Sequence, residues 1–93
     1  MSRVRWTQPA ARDLTNICDY IKEHESAEAA RRVALALFKA VSSLDRFPRR
    51  ARPGRKAGTR ELVLTGLPYL VVFRIRQDVA EVLRVLHGAQ KWP

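Results

Sequence analysis

Histidine is the side chain that gains and loses a proton near neutral pH, and this chain has two. His87 lies in an apolar stretch near the C-terminus, where it serves either acid–base chemistry or a structural hydrogen bond. His24 lies between Glu23 and Glu25 near a predicted helix end, which favours solvated surface or an interaction with the helix C-terminus. We find no paired carboxylates, Cys/His metal spacing, Gly-rich phosphate loop or nucleophile motif, so we expect no metal and no cofactor.

The strongest charge pattern is the segment RFPRRARPGRKAGTR, from Arg46 to Arg60, which carries seven basic residues and no acid. Its two Pro and two Gly residues predict a loop. Such a loop binds nucleic-acid phosphates, binds an acidic protein segment, or is merely solvated, and the residues alone leave these alternatives open. The residues most suited to binding are Arg49, Arg50, Arg52, Arg55 and Lys56.

The whole composition also favours an acidic partner. Eighteen Lys and Arg residues stand against nine Asp and Glu residues, which gives a formal net charge of +9 over 93 residues. This charge suits nucleic acid, an anionic membrane surface or an acidic protein, although a GC-rich genome would also enrich Arg. With 46 % apolar residues the chain should fold, and its length predicts a single domain over residues 1–93.

Several features predict a soluble, cytoplasmic protein. Cys18 is the only cysteine and cannot form an internal disulfide, which suits a reducing compartment. The first residues, MSRVRWTQP, contain no apolar signal region. Uninterrupted apolar runs such as Tyr69 to Phe73 are far too short to cross a bilayer.

The N-terminal half predicts one strand and two helices. Polar and apolar residues alternate from Arg3 to Trp6, as in a short half-buried strand. Thr7 is a suitable N-cap for a helix from about Gln8 to His24, and Ser26 for a second helix from about Ala27 to Arg46. Because so few residues separate them, the two helices should form an antiparallel hairpin.

The C-terminal half predicts three strands in a meander, over Glu61–Leu64, Tyr69–Arg76 and Val79–His87. The element order β-α-α-β-β-β predicts an α+β fold, in which the helical hairpin packs on one face of a mainly antiparallel sheet. The face of the middle strand that meets the helices should carry Tyr69, Val71, Phe73 and Ile75.

The last strand is apolar on both faces, which predicts a central strand covered from two sides. We expect Val79, Leu83 and Val85 on one face and Ala80, Val82 and Leu86 on the other. Either Trp92 covers the second face or that face is left for a partner.

Five segments in order and spacing resemble the RelE/ParE toxins across essentially the whole chain. They are VRWTQPAARDL with I-x-x-Y-I at Ile17–Ile21, L-x-x-F-P at Leu44–Pro48, G-T-R-E-L at Gly58–Leu62, P-Y-L-V-V-F-R-I at Pro68–Ile75, and V-L-H-G-A-Q-K-W-P at Val85–Pro93. The resemblance implies a toxin encoded beside an acidic, partly disordered antitoxin. It also implies one of two targets, because RelE-type members cleave mRNA on the ribosome and ParE-type members inhibit DNA gyrase.

Most of the positions at which the nuclease members of the family carry their catalytic residues hold other residue types in this chain. Leu70 stands where the nucleases commonly have an Arg, and the two sheet Lys positions hold Arg60 and Leu62. The segment Gly88-Ala89-Gln90 stands where the nucleases place an Arg, Tyr or His. If the chain were a metal-independent endoribonuclease, the candidate catalytic residues would be Arg60, Arg74, His87 and Lys91.

We therefore predict a toxin nearer the ParE branch, which inhibits growth by binding DNA gyrase and is neutralised by a cognate acidic antitoxin. The resemblance offers the helical hairpin and the C-terminal strand region as contacts with gyrase. One alternative is a ribosome-dependent mRNA endonuclease with the ribosome and mRNA as partners. A second alternative is a non-toxic basic module that binds nucleic acid. No membrane partner is expected.

Overall fold

A helical hairpin covers one face of a five-stranded sheet in the computed structural model, which describes residues 3–46, 51–88, 90 and 92. The predicted α+β architecture is confirmed, with one strand more than expected. The elements are β1 (Arg3–Trp6), α1 (Gln8–His24), α2 (Ala27–Ser42), a 3-10 turn (Ser43–Asp45), β2 (Arg52–Pro53), β3 (Arg60–Val63), β4 (Tyr69–Arg76) and β5 (Val79–His87).

Both helices begin at the predicted caps. The hydroxyl of Thr7 accepts a hydrogen bond from the backbone N–H of Ala10 at 3.4 Å, and that of Ser26 accepts from Ala29 at 3.0 Å. The second helix ends at Ser42 and not at Arg46 as predicted, because its last turn tightens into the 3-10 turn.

The sheet has the strand order β1-β5-β4-β3-β2. Only β1 and β5 run parallel, and the other three pairs are antiparallel, so the predicted mainly antiparallel sheet is confirmed. The segment from Arg46 to Arg60 was predicted to be a loop, and this prediction is partly wrong. Arg52 pairs with Glu61 and Pro53 with Arg60, which adds β2 as a short edge strand.

A β-bulge divides β5 into two parts. Val72 of β4 pairs with Arg84 and Phe73 pairs with Val82, so Leu83 has no partner of its own in β4. An extra residue reverses the alternation of side chains beyond it. The predicted faces of β5 are therefore wrong: Val85 packs with Ala80 and Val82 in the main core, whereas Leu83 packs with Leu86 on the other face.

The main core lies between the sheet and the helical hairpin and includes Leu37, Val71 and Phe73, all fully buried. As predicted, the odd-numbered residues of β4 face it. The opposite face, called the distal face here, carries a smaller apolar cluster. Leu70, Val72, Leu83 and Leu86 form this cluster with Trp92 packed against it. Of the two expectations for this face, cover by Trp92 is confirmed.

Candidate functional site

The net charge lies entirely outside the helical hairpin. Residues 8–42, which comprise α1, α2 and the turn between them, contain five basic and five acidic residues, which cancel. The remaining thirteen basic and four acidic residues carry the whole charge of +9. A polyanion would therefore be drawn to the sheet and its loops, whereas the helices offer a surface without net charge.

On the distal face the buried carboxylate of Glu81 is held between two arginines. Arg5 of β1 and Arg74 of β4 flank Glu81 of β5 in register. Arg74 donates from Nε to Glu81 Oε1 at 2.7 Å, and Arg5 pairs with Oε2. Glu81 is 6 % exposed, but both arginines keep large exposed fractions. A buried carboxylate thus orients two guanidinium groups toward solvent.

A second buried carboxylate, that of Glu61, holds two more arginines at the β2 end of the sheet. Glu61 is 2 % exposed and accepts from Arg52 Nη2 at 3.0 Å and from the backbone N–H of Arg55 at 3.1 Å. The Arg55 side chain also approaches it, at 3.8 Å. Of the predicted basic-loop residues, Arg52, Arg55 and Lys56 are described, and Arg49 and Arg50 lie outside the described residues.

The loop between these arginines and β3 closes tightly. Gly54 donates from its backbone N–H to the carbonyl of Thr59 at 2.8 Å, and a Cβ on Gly54 would lie 2.1 Å from the Thr59 hydroxyl. Only glycine permits this approach. The described part of the basic loop is therefore held against the sheet and does not extend freely into solvent.

His87 lies at the far end of β5 beside Tyr69. The two residues pair in register, and their rings meet edge to face with centroids 5.9 Å apart. Burial, followed by the nearby charge of Glu25 and smaller contributions from Cys18 and Tyr20, raises the pKa of Tyr69 above its ordinary value of 10.0. The Tyr69 phenol is therefore protonated at neutral pH and is a hydrogen-bond donor there.

The raised pKa of Tyr69 predicts a loss of stability in alkali. A group whose pKa is higher in the folded state stabilises the fold below its unfolded pKa, and this contribution is lost as the pH rises through the folded value. We expect the free energy of unfolding to fall more steeply above about pH 10 in the wild type than in Tyr69→Phe. Urea midpoints measured at pH 8 and pH 11 would test this, and equal losses in both proteins would contradict it.

The predicted catalytic residues are placed apart. Arg60 follows the alternation of Leu62 and lies on the hairpin side, where its Nη1 donates to the Ala51 carbonyl at 3.4 Å. Arg74 lies on the distal face with Glu81. Arg60 pairs with Phe73 and His87 pairs with Tyr69, so the two residues lie on opposite sides of β4 and are about 13 Å apart along the strand direction alone. Lys91 lies outside the described residues.

The remaining titratable candidates have structural surroundings. His24 stacks on Tyr20, with ring centroids 4.0 Å apart, and its Nδ1 lies 2.9 Å from the Tyr20 carbonyl, as expected of a histidine at a helix C-terminus. Burial and then Asp19 raise the pKa of the Cys18 thiol, which disfavours a reactive thiolate. The described residues contain no group of acidic, His and Cys side chains that would hold a metal ion. No helix among them is long and apolar enough to span a membrane.

The helical hairpin exposes apolar side chains that sequence periodicity did not single out. Leu35 is 61 % exposed and Phe38 is 47 % exposed, and their spacing places them together on the outer face of α2. Phe38 also contacts Trp6 of β1, with ring centroids 5.4 Å apart. We call Leu35, Phe38 and Trp6 the apolar patch. The signal in the sequence was the presence of two large apolar residues outside the buried stripe of α2.

The family model described as the ParE toxin of the type II toxin–antitoxin system parDE matches residues 4–92. The protein Y4kP of Sinorhizobium fredii is 46 % identical over 91 residues, which is 98 % of this chain and 93 % of the relative. Toxin RelE2 of Caulobacter vibrioides is 39 % identical over 90 residues, which is 97 % of this chain and 99 % of the relative.

Solved structures agree with the sequence relatives. The chromosomal ParDE toxin–antitoxin system of P. aeruginosa contains a chain with a TM-score of 0.88 and 27 % identity, over 94 % of this chain and 96 % of that one. The toxin–antitoxin complex RelBE2 of Mycobacterium tuberculosis contains one with a TM-score of 0.68 and 26 % identity, over 92 % and 96 % respectively. Sequence and fold together place this chain in the ParE toxin family of type II toxin–antitoxin systems.

Proposed function

We propose that this toxin inhibits growth by binding DNA gyrase in the cytoplasm and that a cognate acidic antitoxin neutralises it. The observation that carries the choice of gyrase is the ParE family match over residues 4–92. The separation of Arg60, Arg74 and His87 supports it, because RNA cleavage needs an acid, a base and a cation around one phosphate.

The apolar patch is the proposed contact with gyrase. It lies on the part of the molecule without net charge, so its binding would depend on packing and not on attraction to a polyanion. Two large apolar side chains on one helix face, bordered by Trp6, have the composition of an interface centre. The patch also lies on the helical hairpin, one of the two regions that the family resemblance suggests as gyrase contacts.

The test compares wild type with Leu35→Ser/Phe38→Ser in a gyrase supercoiling assay. Loss of two central apolar contacts should weaken inhibition by about 30-fold or more. Val63→Ser is the matched control, because Val63 is an exposed apolar residue (54 %) on β3 and is not part of the apolar patch. Val63→Ser should inhibit like the wild type.

A parallel assay for mRNA cleavage in a translating extract decides between the two targets. Codon-spaced cuts together with unaffected supercoiling would contradict the gyrase proposal and favour the nuclease alternative. Neutralisation is tested by adding the product of the neighbouring antitoxin gene, which should restore supercoiling at about equimolar concentration. Supercoiling that stays inhibited with excess antitoxin would contradict the second half of the proposal.

A further inference from the structure

The two carboxylate-held pairs of arginines belong to one larger surface. In the row next to Glu81, Arg3 of β1 and Arg76 of β4 lie on either side of Val79 in register. The alternation of β1 and β4 places them on the distal face with Arg5 and Arg74. We call these six residues the arginine strip: Arg3, Arg5, Arg52, Arg55, Arg74 and Arg76.

We propose that the arginine strip binds the phosphate backbone of duplex DNA. The choice of duplex DNA among polyanions rests on the proposed function, because DNA gyrase acts on duplex DNA. The strip itself is a property of this chain and is separate from the apolar patch, because Leu35 and Phe38 lie on α2 and Trp6 lies on the side of β1 that faces the main core.

Four arginines of the strip are preorganised by buried carboxylates. Glu61 and Glu81 are buried and hold four of the guanidinium groups by side-chain contacts, yet these arginines remain between 42 % and 61 % exposed. An arginine that is already oriented loses less conformational freedom when it binds a phosphate with its free N–H groups. Asp78 of the β4–β5 turn lies beside Arg3, whose backbone N–H donates to the Asp78 carbonyl. Six arginines against Glu61, Glu81 and Asp78 leave this surface with a charge of +3.

The length of the strip matches several phosphates of a duplex. The strip crosses all five strands, from Arg5 on β1 to Arg52 and Arg55 at β2. At about 4.8 Å between strands it is about 19 Å long. One strand of duplex DNA places a phosphate every 3.4 Å or so along the helix axis, so five or six phosphates fit beside the strip.

The strip offers charge without an apolar or aromatic contact of its own. The apolar cluster on the same face is covered by Trp92. The buried indole N–H of Trp92 finds no acceptor among the described residues. Single-stranded nucleic acid is usually held by stacking on aromatic rings, and an acidic peptide gains from apolar anchors. A surface that offers oriented charge alone fits a duplex backbone better than either.

The test is fluorescence anisotropy with a labelled 20-base-pair duplex and the full-length toxin, over a range of salt. We expect a dissociation constant of about 10⁻⁴ to 10⁻⁶ M at physiological salt, equal for two unrelated DNA sequences. The slope of log Kobs against log[salt] should be near −4, because about four phosphate contacts would give this value. Arg3→Gln/Arg76→Gln should reduce the magnitude of the slope by about 2 and weaken binding to both sequences. Arg12→Gln/Arg31→Gln removes the same charge from exposed positions on the helices and should leave the slope near −4.

A second variant guards against misfolding. Arg5→Gln/Arg74→Gln/Glu81→Gln removes one carboxylate-held pair together with its carboxylate, so that no buried charge is left without a partner. It should also flatten the salt dependence while its circular dichroism matches the wild type. Equal losses in the helical control would show a nonspecific charge effect and overturn the proposal. So would tighter binding of a single strand, or of polyglutamate, than of the duplex.

The outcomes separate this proposal from the proposed function. Failure of the duplex to bind, with supercoiling still inhibited, would overturn the role of the arginine strip and leave gyrase as the target. Duplex binding that depends on the strip, without inhibition of supercoiling, would support the strip and contradict gyrase as the target.

Discussion

Insertion of one alanine between Arg84 and Val85 is expected to abolish cooperative folding of this toxin. Strand β5 already contains one extra residue at its bulge, and a second one would reverse the alternation of side chains beyond Arg84. Val85 would then turn from the main core to the distal face, and Leu86 would turn toward the helices. A small domain is stable by only about 5 to 15 kcal/mol, and we expect a loss of at least about 4 kcal/mol.

Deletion of Leu83 is the matched control. It removes the bulge but leaves Val85 and Leu86 on their present faces, so it should cost only about 1 to 2 kcal/mol through the loss of a half-buried side chain. Urea unfolding followed by near-ultraviolet circular dichroism measures both variants. An insertion variant that unfolds cooperatively near the wild-type midpoint would show that β5 tolerates either set of faces.

The second large effect is expected at Asp13, which joins α1 to the open edge of β5. Strand β1 pairs with β5 only as far as Val82, so the edge beyond it needs another partner. Asp13 accepts from Arg84 Nε at 2.7 Å, from Arg84 Nη2 at 3.0 Å and from the backbone N–H of Val85 at 3.0 Å. The same bond raises the pKa of the Arg84 guanidinium, which stays charged throughout.

Asp13→Ala should lower the free energy of unfolding by about 3 kcal/mol, because it leaves the N–H of Val85 without an acceptor as well as breaking the charged pair. Arg84→Ala should cost less, about 1.5 kcal/mol, since Asp13 still accepts from Val85. In a double-mutant cycle the two residues should be coupled by at least about 1 kcal/mol. Asp19→Ala, at an exposed position on the same helix, should change stability by less than about 0.5 kcal/mol, and additive effects of Asp13 and Arg84 would contradict the coupling.

The molecule separates its two proposed binding surfaces. The helical hairpin has balanced charge and the apolar patch, whereas the distal face has the arginine strip. A toxin bound to gyrase through its helices would keep the distal face free to meet DNA. An acidic antitoxin that covered the strip would then compete with the DNA backbone by charge.

Local patterns predicted the local structure well. The Thr7 and Ser26 caps and the bounds of β4 and β5 depend on residues close together in the chain. The predicted bounds leave Gln77 and Asp78 as the link between the two strands. Gln77 and Asp78 both adopt positive φ, 51° and 63°, as a tight turn between antiparallel strands requires. The family could also be predicted, because its spaced apolar segments extend along the whole chain.

What the sequence determined by itself is therefore the C-terminal strands, the helical hairpin, the family and an excess of basic residues. The tertiary structure decided which of those basic residues act together. The bulge at Leu83 and the pairing of β2 with β3 leave no strong local signal, because each depends on partners elsewhere in the sheet. Only the register of five strands places Glu61 and Glu81 beneath arginines from β1, β2 and β4, and so converts a high net charge into an oriented surface.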